Sequence, residues 1–352
     1  MTTPALLRLR ERFPEAHLAL LTPEKLRDLW LQHPAVNEVI TFAAGEGLFS
    51  VSLKLRERNF DLALILPNSP RSALEAWLAR IPRRIGGAHP WRNWFLTEAV
   101  PARPGHVRMR KRSVAEIKQV VNSPVRATEN SEPRAQDFSA HQIHDYLHLA
   151  AALGARPDPL PPRLEILEGE IDAACRRFQL DSGVQWFGLN PGAEYGPAKR
   201  WPADRFIAVT REVQNYVECG WVILGGKSEL ALAAEIESAI RNPQSPIRNL
   251  AGQTSLRELM ALLKLCRVLL ANDSGPMHVA AALGTPVVVP FGSTSPELTG
   301  PGLPGDARHR LLKCEAPCSP CFRRACPIDF RCMTGISVER GVEAVLETAL
   351  RS

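Results

Sequence analysis

The chain has 352 residues, 45% of them apolar and 23% charged, which is ordinary for a globular protein with a sizeable core and length enough for two domains. No run of about 18 apolar residues occurs, so no membrane-spanning helix is expected. Lysine and arginine number 43 against 37 acids, a net charge of +6; this suits anionic ligands or a negatively charged membrane surface. Because the charge is spread along the chain, it does not argue for nucleic acid.

The N-terminus reads as an amphipathic helix, with Leu6, Leu7 and Leu9 among Arg8, Arg10 and Arg12. It lacks the uninterrupted apolar stretch of a signal peptide. Strands are expected at 17–21, from Val36 to Phe42 and at 61–66, with helical stretches near 23–32 and 48–58. Strands alternating with helices imply a parallel α/β sheet. Pro67-Asn68-Ser69 ends the third strand and reads either as a cleft-lining segment or as a simple turn. Residues 101–140 are polar and basic, with Arg108, Arg110, Lys111 and Arg112 close together. A solvated segment explains them better than a loop meeting an anionic acceptor, since charge clusters usually face water. His141, His144, Tyr146 and His148 open a helix, with Asp145 as the one further ligand at hand, so no metal site is expected there.

A stiff, proline-rich linker over 156–164 separates an N-terminal domain over 1–155 from a C-terminal one over 165–335. A closing helix over 336–352 could pack back on the first domain. In the second domain strands are expected near 184–189, 221–225, 247–250, 267–271 and 286–291.

Three strand exits in this half carry chemistry. After the first, Asn190-Pro191-Gly192 leads into a Gly- and Pro-rich loop with Lys199 and Arg200. Gly192 permits close backbone approach, and Lys199 is placed to neutralise a phosphate, although a lone loop lysine is usually just solvated. After the second, Gly225-Gly226-Lys227-Ser228-Glu229 could hold a nucleoside, with Glu229 on ribose hydroxyls; the helix dipole alone also explains an acid in a first turn. After the fourth comes Asn272-Asp273-Ser274-Gly275-Pro276-Met277-His278. Ser274 or Gly275 can act as N-cap, Pro276 fits the first helical turn, and Gly284 ends the helix. Free amides at a helix N-terminus make an anion site. Gly275 lets a ligand approach, and His278 can face the same anion. In a parallel sheet these exits open at the carboxyl ends of the strands, where ligands bind.

Together, the run from Asn190 through Lys199-Arg200-Trp201-Pro202 and the run from Asn272 to Pro286 resemble the ADP-heptose:lipopolysaccharide heptosyltransferases, on the heptosyltransferase II side of that family. Shorter likenesses extend over nearly the whole chain: Thr2-Thr3-Pro4-Ala5-Leu6, Arg84-Ile85-Gly86-Gly87, Phe95-Leu96-Thr97 and Leu250-Ala251-Gly252. The resemblance implies two Rossmann-like domains facing across a cleft, the GT-B architecture. In the family a first strand and a Gly-Asp loop precede Thr-Thr-Pro-Ala-Leu, and the acidic residue there is the general base. Here Met1 stands directly before Thr2, and no residue inherits that role. An interior strand buries about four apolar side chains, worth on the order of 6–12 kcal/mol, against the ~5–15 kcal/mol of a typical domain. The natural protein is therefore expected to begin roughly 15–25 residues upstream.

Five cysteines fall at Cys314-x₃-Cys318-x₂-Cys321-x₄-Cys326-x₅-Cys332. Cys318-x₂-Cys321 has zinc-ligand spacing, so Cys314, Cys318, Cys321 and Cys326 form a candidate metal set. Reduced buried thiols are the favoured alternative, and disulfides the least favoured in a reducing compartment.

The reading is an inverting glycosyltransferase that moves heptose from ADP-L-glycero-D-manno-heptose to the lipopolysaccharide inner core. The diphosphate meets backbone at 274–276; Lys199 and His278 oppose charge on the leaving ADP; Asp273 holds sugar hydroxyls or orients the turn. Cations and helix dipoles can carry the charge, so no cofactor is called for. The expected setting is cytoplasmic, compatible with peripheral contact at the inner membrane. The rival readings are a non-catalytic or truncated nucleotide-sugar binder, a Cys-rich metal or redox protein, and a transferase using another nucleotide sugar.

Overall fold

Every pairing between the strands described below is parallel, as apolar runs separated by helices require. The computed structural model of the chain describes residues 1–123 and 138–351. It divides into two units, Met1–His106 with Ser139–Glu165 and Val107–Phe138 with Ile166–Ser352.

Unit 1 contains α1 (Thr3–Arg12), β1 (Ala19–Pro23), β2 (Glu38–Phe42), α2 (Leu48–Arg56), β3 (Leu62–Ile65), α3 (Pro70–Leu78), β4 (Arg83–Gly87) and β5 (Glu98–Val100). After α4 (Val114–Asn122), which belongs to unit 2, α5 (Ile143–Ala151) returns to unit 1. The strands form two separate sheets, β1-β2 and β3-β4-β5. Leu18, Leu20 and Leu64 nevertheless share an apolar cluster with Leu6 and Leu9 of α1 and Ile143 and Leu147 of α5. The stretch expected to be helical near 23–32 is a 3₁₀ helix, Glu24–Trp30. Ser69 caps α3 by accepting from the Ser72 amide at 3.2 Å, so the Pro67-Asn68-Ser69 segment does a turn's work.

Unit 2 continues with α6 (Glu168–Phe178), β6 (Trp186–Asn190), α7 (Ala203–Tyr216), β7 (Gly220–Ile223), α8 (Leu230–Ile240), β8 (Ile247–Asn249), α9 (Leu256–Leu265) and β9 (Leu269–Ala271). Then come α10 (Gly275–Ala282), β10 (Val287–Pro290), α11 (Pro296–Thr299), β11 (Arg310–Leu312), α12 (Arg331–Thr334) and α13 (Val338–Arg351). One sheet of order β11-β10-β9-β6-β7-β8 runs through the unit. Its core centres on Phe187, Leu189, Trp201, Phe206, Trp221 and Ile223.

Three boundaries fall differently from the sequence reading. Residues 107–123 go with unit 2: the Arg112 amide donates to the Cys321 carbonyl at 3.0 Å, and Arg323 Nη1 donates to the Arg112 carbonyl at 2.9 Å. The segment 156–164 is folded into unit 1 rather than spanning between domains, with Arg8 Nε donating to the Asp158 carbonyl at 3.0 Å and the Arg163 amide to Thr3 Oγ1 at 3.2 Å. The closing helix packs within unit 2, where Val342, Val345 and Ala349 join the core. Gly341 makes this possible, because a Cβ there would stand 2.8 Å from Val209 of α7 and 3.0 Å from Trp201. Part of the basic stretch expected over 101–140, residues 124–137, lies outside the described residues. Within the described part, Arg108, Arg110 and Lys111 are exposed, as a solvated segment requires, with Arg110 paired to Glu116 at 2.6 Å, while Arg112 Nη1 donates to the Pro317 carbonyl at 3.2 Å.

Candidate donor site in unit 2

β6 pairs with β9 on one side and β7 on the other, with Asn190 in register with Ala271. β10 lies beyond β9. The carboxyl ends of four adjacent strands therefore deliver the loops that begin at 191, 224, 272 and 291. This is the edge of a parallel sheet where ligands bind.

Two buried asparagines stitch the loops together. Asn190 Nδ2 donates to the Leu224 carbonyl at 3.0 Å, and Ser274 Oγ donates to Asn190 Oδ1 at 3.4 Å. Asn272 Nδ2 donates to the Pro191 carbonyl at 2.6 Å, while its Oδ1 accepts from the Trp201 amide at 2.9 Å. Asn190 was expected to touch ligand; here its amide nitrogen braces the neighbouring strand end.

Asp273 is 4% exposed. Its Oδ2 accepts from Thr294 Oγ1 at 2.5 Å and lies 2.6 Å from Lys199 Nζ. Oδ2 is therefore committed to Lys199 and Thr294. The ammonium of Lys199 is fixed in turn: it sits 4.9 Å from the centroid of the Tyr195 ring, which Arg324 approaches at 5.2 Å. Tyr195 donates its hydroxyl to the Phe322 carbonyl at 2.9 Å, and the Ala198 amide donates to the Arg324 carbonyl at 2.9 Å. Gly196 permits that approach, since a Cβ there would lie 2.5 Å from the Arg324 carbonyl oxygen. Lys199 is thus held at the strand ends by two elements distant in sequence.

Ser274 occupies the N-cap position of α10 but makes no side-chain cap, and Pro276 follows within the first turn. No heavy atom lies within 4 Å of where a Gly275 Cβ would sit, so space is open beside the helix mouth. His278 is half-buried in the same turn. An uncapped helix start beside a fixed ammonium is an anion site by charge and by hydrogen-bonding capacity.

Glu229 closes a 3₁₀ turn, Lys227–Glu229, and accepts from the Gly226 amide at 2.8 Å. Its carboxylate lies directly over Gly192: a Cβ on Gly192 would overlap Glu229 Oε1 at 1.6 Å. The glycine is therefore required by the glutamate, a coupling between two loops that sequence spacing does not reveal. Thr294, Asn272, Tyr195 and Arg324 were not singled out from sequence. Asn272 had a local signal as the first residue after β9, and Thr294 had one in the polar Ser293-Thr294-Ser295 turn shortly after β10.

The cysteine run is drawn together only in part. Cys318, Cys321, Cys326 and Cys332 line one small pocket with Ile117 and Ser293. Cys314 turns away from it and donates to the Cys332 carbonyl at 3.2 Å. All five thiols are free, and among the described residues no three His, Cys, Asp or Glu side chains are gathered as a metal ion needs. Burial pushes the Cys332 thiol up to about 12. Cys332 takes the place at this pocket that the candidate quartet gave to Cys314.

A model of the family described as glycosyltransferase family 9 (heptosyltransferase) matches residues 48–330. The chain is 32% identical over 309 residues to lipopolysaccharide heptosyltransferase 2 of Salmonella typhimurium, covering 83% of this chain and 79% of the relative. It is 29% identical to lipooligosaccharide heptosyltransferase 2 of Haemophilus ducreyi, with the same coverage of 83% and 79%. Its structure superimposes on that of the Escherichia coli ADP-heptose lipopolysaccharide heptosyltransferase II with a TM-score of 0.76 at 27% identity, over 99% of this chain and 94% of the other.

Proposed function

The chain belongs to glycosyltransferase family 9, the heptosyltransferases, and from that premise we propose how its own residues carry the reaction. It is a heptosyltransferase II-like glycosyltransferase of the lipopolysaccharide inner core. The donor is ADP-L-glycero-D-manno-heptose, seated in unit 2. Its diphosphate meets the opening turn of α10 at Ser274, Gly275 and Pro276, with Lys199 and His278 against the phosphate oxygens. Glu229 bonds the ribose hydroxyls beside Gly192. Asp273, itself held by Thr294, pairs with Lys199 and so positions it.

A hydroxyl of the inner-core acceptor attacks the anomeric carbon from the face opposite the diphosphate. A C–O bond forms to the acceptor, the bond from the anomeric carbon to the diphosphate oxygen breaks, and ADP leaves with the electron pair, inverting the configuration. Negative charge grows on the leaving diphosphate, where a prearranged ammonium and helix-end amides stabilise it most in the transition state. Lys199 and His278 lie on the leaving-group side, so the acceptor proton goes to a different base. These groups supply the charge, and the scheme uses no metal or cofactor. The protein works at the cytoplasmic face of the inner membrane as a peripheral enzyme; no helix among the described residues is long and apolar enough to cross a bilayer.

The observation that carries this reading is Lys199 fixed 2.6 Å from a buried Asp273 at the mouth of an uncapped helix. Donor competition tests it. ADP-heptose is expected to raise the melting temperature at concentrations where uridine-diphosphate sugars do not, and to be consumed in the presence of a heptose-deficient core acceptor. Equal stabilisation by both nucleotide classes would argue for a different donor.

A further inference from the structure

In unit 1 a loop follows β4. Trp91 and Trp94 lie on it, 84% and 86% exposed. Large apolar side chains displayed this fully mark interaction surfaces when they cluster. The loop is pinned. Arg92, between the two indoles, is 0% exposed; its Nη1 donates to the Pro67 carbonyl at 2.9 Å and to Asn68 Oδ1 at 3.3 Å. Arg92 Nη2 lies 2.7 Å from where a Gly86 Cβ would stand, so a side chain at 86 would evict it. The His89 amide donates to Asn93 Oδ1 at 2.9 Å. Trp91 itself has φ of 67°, a left-handed conformation that a bulky residue adopts only under constraint. A buried arginine and a strained backbone thus hold two indoles in water.

The neighbourhood adds aromatic and positive surface. Trp77, 46% exposed near the end of α3, meets Phe95 edge-on with ring centroids 5.9 Å apart. Of the five arginines in residues 70–98, Arg92 is buried, Arg71 and Arg83 pair with Glu75 and Glu98 at 2.7 and 3.6 Å, and Arg84 donates to the Phe95 carbonyl at 2.7 Å. Arg80, a turn beyond Trp77, is exposed and has no carboxylate partner among the described residues.

We propose that Trp91 and Trp94 form an interfacial anchor by which unit 1 docks on an anionic lipid bilayer, with the indoles at headgroup level and the exposed Arg80 against a lipid phosphate. Indoles favour that position because the ring is apolar and the N–H is wet. A basic residue close by, Arg80, adds attraction to an anionic leaflet. The lipid-linked acceptor of the proposed reaction makes a bilayer the expected partner, but the anchor does not depend on the donor site.

The test is co-sedimentation of the full chain with vesicles of phosphatidylglycerol and phosphatidylethanolamine, against vesicles of phosphatidylcholine alone. The protein is expected to follow the anionic vesicles, with indole emission quenched by lipids brominated in their acyl chains. The Trp91→Ser/Trp94→Ser double variant should lose roughly tenfold or more in partitioning and lose the quenching, while keeping its melting temperature and its binding of ADP. Trp91→Phe/Trp94→Phe, gentler on the loop, should retain part of the partitioning. Equal partitioning of wild type and both variants, no binding of wild type to anionic vesicles, or a dimer that the double variant turns into a monomer would each overturn the anchor. Vesicle binding lost with ADP binding intact leaves the donor reading standing; ADP binding absent from a protein that still binds vesicles removes that reading alone.

Discussion

The strands of the two units are similarly apolar but differ in how deeply they are buried. In β6, β7, β9 and β10 every residue is buried. β1, β2 and β3 hold one buried residue each, although Ala-Leu-Leu and Leu-Ala-Leu-Ile are runs of the same character. Strand edges account for part of the difference, since β4 is paired on both sides and still holds only two buried residues of five. β6, β7, β9 and β10 are paired on both sides, whereas β1 pairs only with β2 and β3 only with β4. An apolar run therefore announces a strand, but its burial depends on neighbours on both edges and cover on both faces. The donor loops spring from the deeply buried sheet, which suits a site that must hold Lys199 and Asp273 in fixed geometry.

The contrast can be tested by perturbing each unit in turn. The largest effect is expected at the donor site. Lys199→Ala should lower turnover roughly 10²–10³-fold and also lower the melting temperature, because buried Asp273 loses its counter-charge. Adding Asp273→Asn should restore the melting temperature without restoring turnover. Full activity in either variant would detach the cluster from the chemistry. Next, native-state hydrogen exchange should find the amides of β1 and β3 opening about 3 kcal/mol or more below those of β6 and β9. Uniform protection across both units would show that strand burial does not set local stability.

A similar magnitude applies to acid stability. Burial holds His309 in unit 2 down to about 4 from its ordinary 6.5, with its Nδ1 accepting from the Val287 amide at 3.3 Å. Between those values the folded state binds fewer protons than the unfolded one. The contribution is whole above pH 6.5 and disappears as pH falls through 4, a loss on the order of 3 kcal/mol. His309→Asn, which keeps an acceptor near Nδ1, should flatten the denaturant-midpoint profile over that window; an unchanged slope would assign the acid sensitivity elsewhere. Burial also depresses the buried His33 of unit 1, so His33→Asn should flatten the profile of unit 1 in the same direction. The smallest effect is expected for Gly192→Ala. Its methyl would displace the Glu229 carboxylate, a flexible end that can move at little cost in stability. ADP affinity should fall about tenfold, the value of one charge-assisted hydrogen bond, with the melting temperature nearly unchanged.

Much of this was legible in the sequence where the signal is local. Strand exits at Asn190 and Asn272, the helix opening at Gly275, the glycine that ends it at Gly284 and the cation at Lys199 all follow from turn and cap chemistry within a few residues. Partnerships across the chain were not legible. Nothing in the spacing tells that Thr294 donates to Asp273, that Glu229 lies on Gly192, or that Arg324 joins Lys199 at Tyr195, because each pair is set by the order of strands in the sheet. The placement of 107–123 and of α13 was missed for the same reason: backbone bonds to the Cys321 loop and close packing on Trp201 decide it. In the cysteine run, the candidate set held Cys314, but Cys332 lines the pocket in its place while Cys314 donates to the Cys332 carbonyl.

Calorimetric titration with ADP and with AMP, on the wild type and on Lys199→Ala, addresses the diphosphate grip most directly. ADP should bind one to one and far more tightly than AMP in the wild type, and the substitution should bring ADP down to the affinity of AMP while leaving AMP unaffected. If ADP and AMP bind alike, or if Lys199→Ala leaves the ADP isotherm unchanged, the diphosphate is not held by Lys199 at the mouth of α10.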